Sequence, residues 1–161
     1  MSETIETQVH SSVEALAAAS DLVVVGTVQG AVSREVDYGT SNTAQQSGAG
    51  VPMVFYGVAV TETLRGDTRS IIIVGAPDVN DTAIEGATAL LSGQQLLLFL
   101  KQRVREVAPG VKSYDVFFAP VSLGNGVFDV MDNGLAAEPR MPESFEETSY
   151  RLTEVRAKTR R

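Results

Sequence analysis

The segment Leu22-Val23-Val24-Val25-Gly26-Thr27-Val28 constrains this chain more than any other. It carries no charge, and its β-branched residues suit a pleated surface. Its apolar residues do not alternate with polar ones, so a strand built from it must be covered on both faces. Gly26 has no side chain to pack. Inside a strand it marks a bulge, a tight coil or the close approach of another backbone. Gln95-Leu96-Leu97-Leu98-Phe99-Leu100 is a second run of this kind. Its dense part, Leu96–Leu100, is strand-sized and far short of the ~18 apolar residues of a membrane span.

The other strands announce themselves by alternation or by bracketing turns. In Val51–Leu64, Val54, Tyr56, Val58 and Val60 fall on one face and Phe55, Gly57, Ala59 and Thr61 on the other. Further strands are expected at Ser70–Val74, Tyr114–Ala119 and Gly126–Met131. Asn125-Gly126 and Asn133-Gly134 flank the last as turns that permit positive φ. The first strand is expected to fade by Val32, leaving residues 33–50 as a long polar loop. Residues 76–94 read as irregular, with a helical turn near Thr82–Leu91.

Each end calls for a helix. Ser11 and Glu14 have capping-box spacing before the helix-forming run Glu14–Ala19. Pro142-Glu143-Ser144 opens a second helix over about residues 143–158, with Phe145, Ser149, Leu152 and Val155 at helical spacing. Residues 1–10 are expected to be frayed and 159–161 to form a basic tail. One domain, residues 11–158, accounts for the chain.

Five or six strands with short connections and a helix at each end point to a mainly β fold. The expected form is a small closed Greek-key barrel of the oligonucleotide/oligosaccharide-binding (OB) type, with a β-sandwich as the alternative. Three segments carry a family resemblance: Ser20-Asp21-Leu22-Val23-Val24-Val25-Gly26-Thr27-Val28, Glu62-Thr63-Leu64-Arg65-Gly66 and Ser92-Gly93-Gln94-Gln95-Leu96-Leu97-Leu98-Phe99-Leu100. Over about residues 12–135 the chain resembles bacterial, largely actinobacterial, domains of unknown function. It is distantly similar to the OB-like barrel of tissue inhibitors of metalloproteases and netrin modules. The resemblance implies a barrel and a family often exported. It implies no activity, because those inhibitors work through an N-terminal cysteine and this chain has no cysteine.

That absence also removes disulfides, zinc–thiolate sites and thiol nucleophiles. The only histidine, His10, falls in the segment expected to fray, so Ser–His chemistry has no base. Gly48-Ala49-Gly50 runs into a strand where a phosphate cradle needs a helix. Asp78-Val79-Asn80-Asp81 begins like a calcium loop, but Ala83 and Ala89 stand where Gly and Glu are required. Arg65-Gly66-Asp67 reads as a hairpin turn rather than an adhesive motif. No cofactor or metal is expected.

The net charge is −7. Residues 151–161 hold Arg151, Arg156, Lys158, Arg160 and Arg161 against Glu154, so the rest of the chain is more acidic still. Such a body repels nucleic-acid backbones. Met1-Ser2-Glu3-Thr4 lacks the basic start and apolar stretch of a signal peptide. The compartment is expected to be extracytoplasmic if a leader has been removed and cytoplasmic otherwise.

The leading expectation is a non-enzymatic binding module for a protein or cell-envelope partner. OB-type barrels bind through the loops after strands one and four, here residues 33–50 and 101–113. Asp37 and Tyr38, with Arg103 and Arg105 opposite them, are the candidate binding residues. The alternatives are an assembly subunit docking through its C-terminal helix and an enzyme using carboxylates alone.

Overall fold

The computed structural model describes residues 9–38, 50–79 and 89–159. Among the described residues eight strands form one mixed sheet: β1 (Leu22–Asp37), β2 (Val51–Arg65), β3 (Ile71–Pro77), β4 (Gln95–Ala108), β5 (Val111–Pro120), β6 (Val127–Met131), β7 (Ala136–Pro139) and β8 (Tyr150–Arg151). Two α-helices, α1 (Val13–Ala18) and α2 (Leu152–Thr159), lie among the described residues. β1 pairs with both β2 and β4, so five strands close a ring in the order β1-β2-β3-β5-β4. β6, β7 and β8 continue outward from β4. The β3–β5 contact is parallel, through the register pair Val74↔Phe118, and the other pairings are antiparallel.

The two charge-free runs of the sequence lie side by side. Leu22↔Leu100 through Thr27↔Gln95 is an unbroken antiparallel register. Val24, Leu96, Leu98 and Leu100 face the core inside the ring, with Val54, Tyr56, Val58, Ile72, Val74 and Phe118. Val23, Val25, Leu97 and Phe99 face a second core with α1, α2, Phe128, Phe145 and Tyr150. Both faces are therefore covered, as the absence of alternation requires. The alternation of β2 also holds: Val54, Tyr56, Val58 and Val60 belong to the inner core, while Phe55 joins a third cluster with Val51, Met53 and Phe117.

Gly26 combines two of the roles expected of it. The β1–β2 register shifts between Val25 and Gly26. A Cβ at Gly26 would stand 2.7 Å from the Ala59 carbonyl oxygen and 2.8 Å from Val58 Cγ1.

Several boundaries differ from the sequence expectation. β1 continues to Asp37, because residues 30–37 pair with residues 51–57 of β2. β4 continues to Ala108 and pairs with β5, so Arg103 and Arg105 lie on a strand and not in a loop. α1 is capped by Ser12, whose Oγ accepts from the Ala15 N–H at 3.0 Å, and not by Ser11.

The C-terminal helix is shorter than expected. Pro142–Ser144 makes a single 3-10 turn, Phe145 is extended, and α2 begins only at Leu152. The physical reason is aromatic packing. Phe145 and Tyr150 both lie edge-on to Phe128, with ring centroids 5.3 and 6.0 Å away, and Tyr150 pairs with Ala137 of β7. A continuous helix could not also place Tyr150 in that ladder.

Asn133-Gly134 is a positive-φ turn as expected, but Asn125-Gly126 is not. Asn125 is fully buried; its side chain accepts from the His10 N–H at 2.8 Å and donates to the His10 carbonyl at 3.1 Å. His10, expected to be frayed, is thus held by its backbone. A Cβ at Gly126 would meet the Phe99 carbonyl and the Val121 backbone within 2.9 Å, which is why a glycine stands there. Residues 1–8, most of the expected helical turn near 82–91, and the last two tail residues lie outside the described residues; Ala89–Leu91 are not helical.

α2 is docked on its own chain. Leu152 and Val155 are buried, and the Arg156 guanidinium donates to both Glu62 oxygens at 2.6 and 2.8 Å. Lys158 stands 3.7 Å from Glu14 of α1. The Glu62 carboxylate holds the Arg156 pKa above its usual value.

Two stability outcomes follow from this packing. Gly26→Ala should cost about 1–3 kcal/mol, because a backbone carbonyl must move to admit the methyl group; urea titration reads this as a lower midpoint at unchanged slope. Arg156→Gln should cost only about 0.5–1 kcal/mol, since the ion pair is one-third exposed, and that loss should shrink in 0.5 M salt.

Candidate functional site

The β1–β2 and β4–β5 hairpins are longer than the ring they help to close. Bulges bend them. β1 shifts register between Val28 and Gly30 and between Ala31 and Ser33, and Gly30 takes a φ of +136°. The β4–β5 pairing shifts between Val104 and Glu106 and between Glu106 and Ala108. Bulges raise strand twist and bend the strand away from its neighbours. The far ends of β1 and β4 meet as a result.

The contact is made of backbone and charge. The Tyr38 N–H donates to the Glu106 carbonyl at 3.1 Å, and the Glu106 N–H donates to Asp37 Oδ1 at 3.0 Å. Arg105 Nη1 donates to the Val36 carbonyl at 3.1 Å. Asp37 is 2% exposed, so its carboxylate is a structural acceptor in this junction. Tyr38 is half-buried with its ring against Gly50, where a Cβ would come within 2.9 Å of the ring carbons. Glu106 also closes its own hairpin, accepting from the Gly110 N–H at 3.0 Å.

Three of the four sequence candidates therefore converge: Asp37, Tyr38 and Arg105. Arg103 lies two residues back along β4, on the same face as Arg105 and across the ladder from Phe117. Reading from sequence missed Glu106, which serves both hairpins, because 101–113 was taken for a loop. The period-2 spacing of Lys101, Arg103 and Arg105 was the available strand signal. Asp21 was also missed as a partner of β4. Its Oδ2 accepts from the Gln102 N–H at 2.8 Å, so two carboxylates cap β4 backbone donors four residues apart. Side-chain caps of this kind satisfy backbone donors on a strand edge that has no partner strand.

Other polar groupings bind elements together. Arg140 reaches both Asp129 oxygens at 2.9–3.2 Å, the Ala89 carbonyl at 2.8 Å and Gln94 Oε1 at 2.9 Å. It ties β6 and β7 to the segment entering β4. Asp78, which opened the calcium-like stretch, is buried and stands 3.6 Å from Arg34 Nε. Most of the rest of that stretch lies outside the described residues. Among the described residues no group of three or more His, Cys, Asp and Glu side chains comes together. No helix of the described residues is long and apolar enough to cross a membrane.

Comparison with protein-family models and with curated proteins returned no match.

The junction makes a sharp distinction between acceptor and charge. Asp37→Asn keeps an oxygen for the Glu106 N–H and should leave amide exchange at Glu106 slow. Asp37→Ala leaves that donor unpaired, at a cost of about 1–3 kcal/mol. Exchange at Glu106 and Tyr38 should then accelerate while Leu97 and Phe99 stay protected.

Proposed function

We propose that this chain is a non-enzymatic binding module, an OB-like Greek-key barrel that takes a protein or cell-envelope partner where its two long hairpins meet. The ring order β1-β2-β3-β5-β4 and the lone parallel contact between β3 and β5 support the OB-like reading. In barrels of that type the loops after strands one and four flank the ligand. The observation that carries the proposal is the junction itself. Asp37 and Tyr38 at the end of β1 are bonded to Glu106 near the end of β4, so the ends of both strands share one hydrogen-bonded base. Holding the strand ends together before a partner arrives lowers the ordering cost of binding. The resemblance to bacterial domains that are often exported favours an envelope component as the partner.

The assembly alternative docks the C-terminal helix on a neighbouring subunit, with the basic tail reaching an acidic barrel. Less favourable to it, Leu152 and Val155 share a core with Val13 and Leu16 of the same chain, and Arg156 and Lys158 are paired within it.

Replacing residues 39–49 with a two-residue Asn-Gly turn tests the binding reading. The shortened chain should unfold at the midpoint of the parent, because the junction at Asp37 and Gly50 stays in place. Immobilised parent chain should retain a specific component of a bacterial envelope extract that the shortened chain does not. Equal retention by both would move the partner site away from this end of the ring.

A further inference from the structure

We propose that Asn133 is a self-modification site of the folded chain: its side-chain amide is lost to the backbone nitrogen of Gly134, leaving aspartate or isoaspartate in the turn between β6 and β7. The other Asn-Gly pair, Asn125-Gly126, is held away from the same reaction. This goes beyond the binding-module reading and does not depend on it.

The chemistry needs only water. The Gly134 nitrogen, once its proton passes to solvent base, attacks the Asn133 side-chain carbon Cγ. A new C–N bond forms, the bond from Cγ to the side-chain nitrogen breaks, and that nitrogen takes a proton from water and leaves as ammonia. Water then opens the cyclic imide. Cleavage of the new Cγ–N bond gives aspartate. Cleavage of the original backbone C–N bond gives isoaspartate, whose main chain runs through the former side chain. A following glycine favours ring closure, because no Cβ crowds the attacking nitrogen.

The two pairs are the same dipeptide and differ in access, hydrogen bonding and room to move. Asn133 is exposed. It has φ 58° and ψ 32°, and Gly134 has a φ of 88°. A Cβ at Gly134 would meet nothing within 4 Å, so the backbone there has space to rotate. Ring closure requires ψ of Asn133 to leave its left-handed value, and so requires the turn to open. An exposed hairpin turn opens locally, far below the cost of global unfolding.

Asn125 has none of these freedoms. It is fully buried. Its side-chain oxygen accepts from the His10 N–H at 2.8 Å, and the amide nitrogen that would have to leave donates to the His10 carbonyl at 3.1 Å. Gly126 is wedged against backbone: a Cβ there would come within 2.9 Å of the Phe99 carbonyl oxygen and of Val121 N and O. Phe99 and Val121 belong to the helix-covered core, so freeing Gly126 means opening that core.

The two products differ in consequence. Aspartate tolerates the left-handed region as asparagine does, so it keeps the turn. Isoaspartate adds a backbone carbon inside the loop closed by Met131↔Ala136. That loop carries Leu135, whose carbonyl accepts from the Leu152 N–H at 2.9 Å where α2 begins. Either product adds a negative charge to a chain already at −7.

The test incubates the full chain, folded and in concentrated guanidinium, in the same mildly alkaline buffer. Trypsin then releases residues 113–140, which carry both asparagines on one peptide. Fragment ions assign the amide-to-acid mass gain to each site, and retention time separates isoaspartate from aspartate. In the folded chain, conversion at Asn133 should exceed that at Asn125 by at least about tenfold. In guanidinium the two sites should convert at similar rates, because only the shared dipeptide chemistry remains. Relative to the variant Asn133→Asp, the isoaspartate fraction should show faster amide exchange at Leu152.

Equal conversion of the two sites in the folded chain would overturn the proposal. So would an Asn133 that stays intact when folded while the guanidinium sample converts. A slower Asn133 than Asn125 in guanidinium, with the folded ratio unchanged, would strengthen the structural assignment. Unchanged exchange at Leu152 in the isoaspartate form would overturn the link from this turn to α2.

Discussion

The fold depends on one pairing, residues 22–27 of β1 against residues 95–100 of β4. It closes the five-strand ring, and it is the wall shared by two cores. Val24 and Leu98 point into the ring, while Val23 and Phe99 point to the helices. A slip of one residue would exchange every side chain between the two cores. The two sides differ in shape: the ring interior takes mostly aliphatic residues, whereas the outer core is built around the cluster of Phe99, Phe128, Phe145 and Tyr150. The register is therefore specified from both faces, and the packing of α1, α2, β6 and β7 follows from it.

Away from this wall the molecule changes character. Beyond residue 28 of β1 and residue 100 of β4 the strands are half-exposed, bulged and charged. Burial gives way to hydrogen bonds between strand ends, with Asp21 and Asp37 each accepting one backbone N–H of β4. Closing the ring satisfies most strand edges through ladders; carboxylates serve where the ladder stops. The same stretch of β4 gathers cations on an acidic protein. A buried scaffold thus ends in a less buried, strongly polar region.

Much of this was legible in sequence because it follows from local rules. Two uninterrupted apolar runs demanded cover on both faces, and the alternation along Val51–Leu64 gave the faces of β2 correctly. Gly26 was readable as a close approach, and Asn133-Gly134 as a turn. Of the candidate site, Asp37, Tyr38 and Arg105 were named, and the structure brings them together. The errors share one cause. Residues 33–37 and 101–108 looked like loops because most of their residues are polar, and their strand character comes from partners far away in the chain. Asn125-Gly126 does end a turn, the 3-10 turn Leu123–Gly126, but without positive φ, and the buried Asn clamps His10.

The C-terminal segment shows the same division. Helical spacing from Phe145 to Val155 was present in the sequence, and helix forms only from Leu152, because Phe145 and Tyr150 gain more by packing on Phe128 than by staying in register with a helix. By itself the sequence determined that there would be a sheet, which strands would be buried on both faces, and which chemistries lack their residues. Those properties depend on composition and on spacing over a few residues. The tertiary structure alone decided that β1 returns to β4 and that the two hairpin ends bond through Asp37 and Glu106. Those properties depend on contacts between residues tens of positions apart, and no local pattern encodes which distant partner will satisfy a given backbone group.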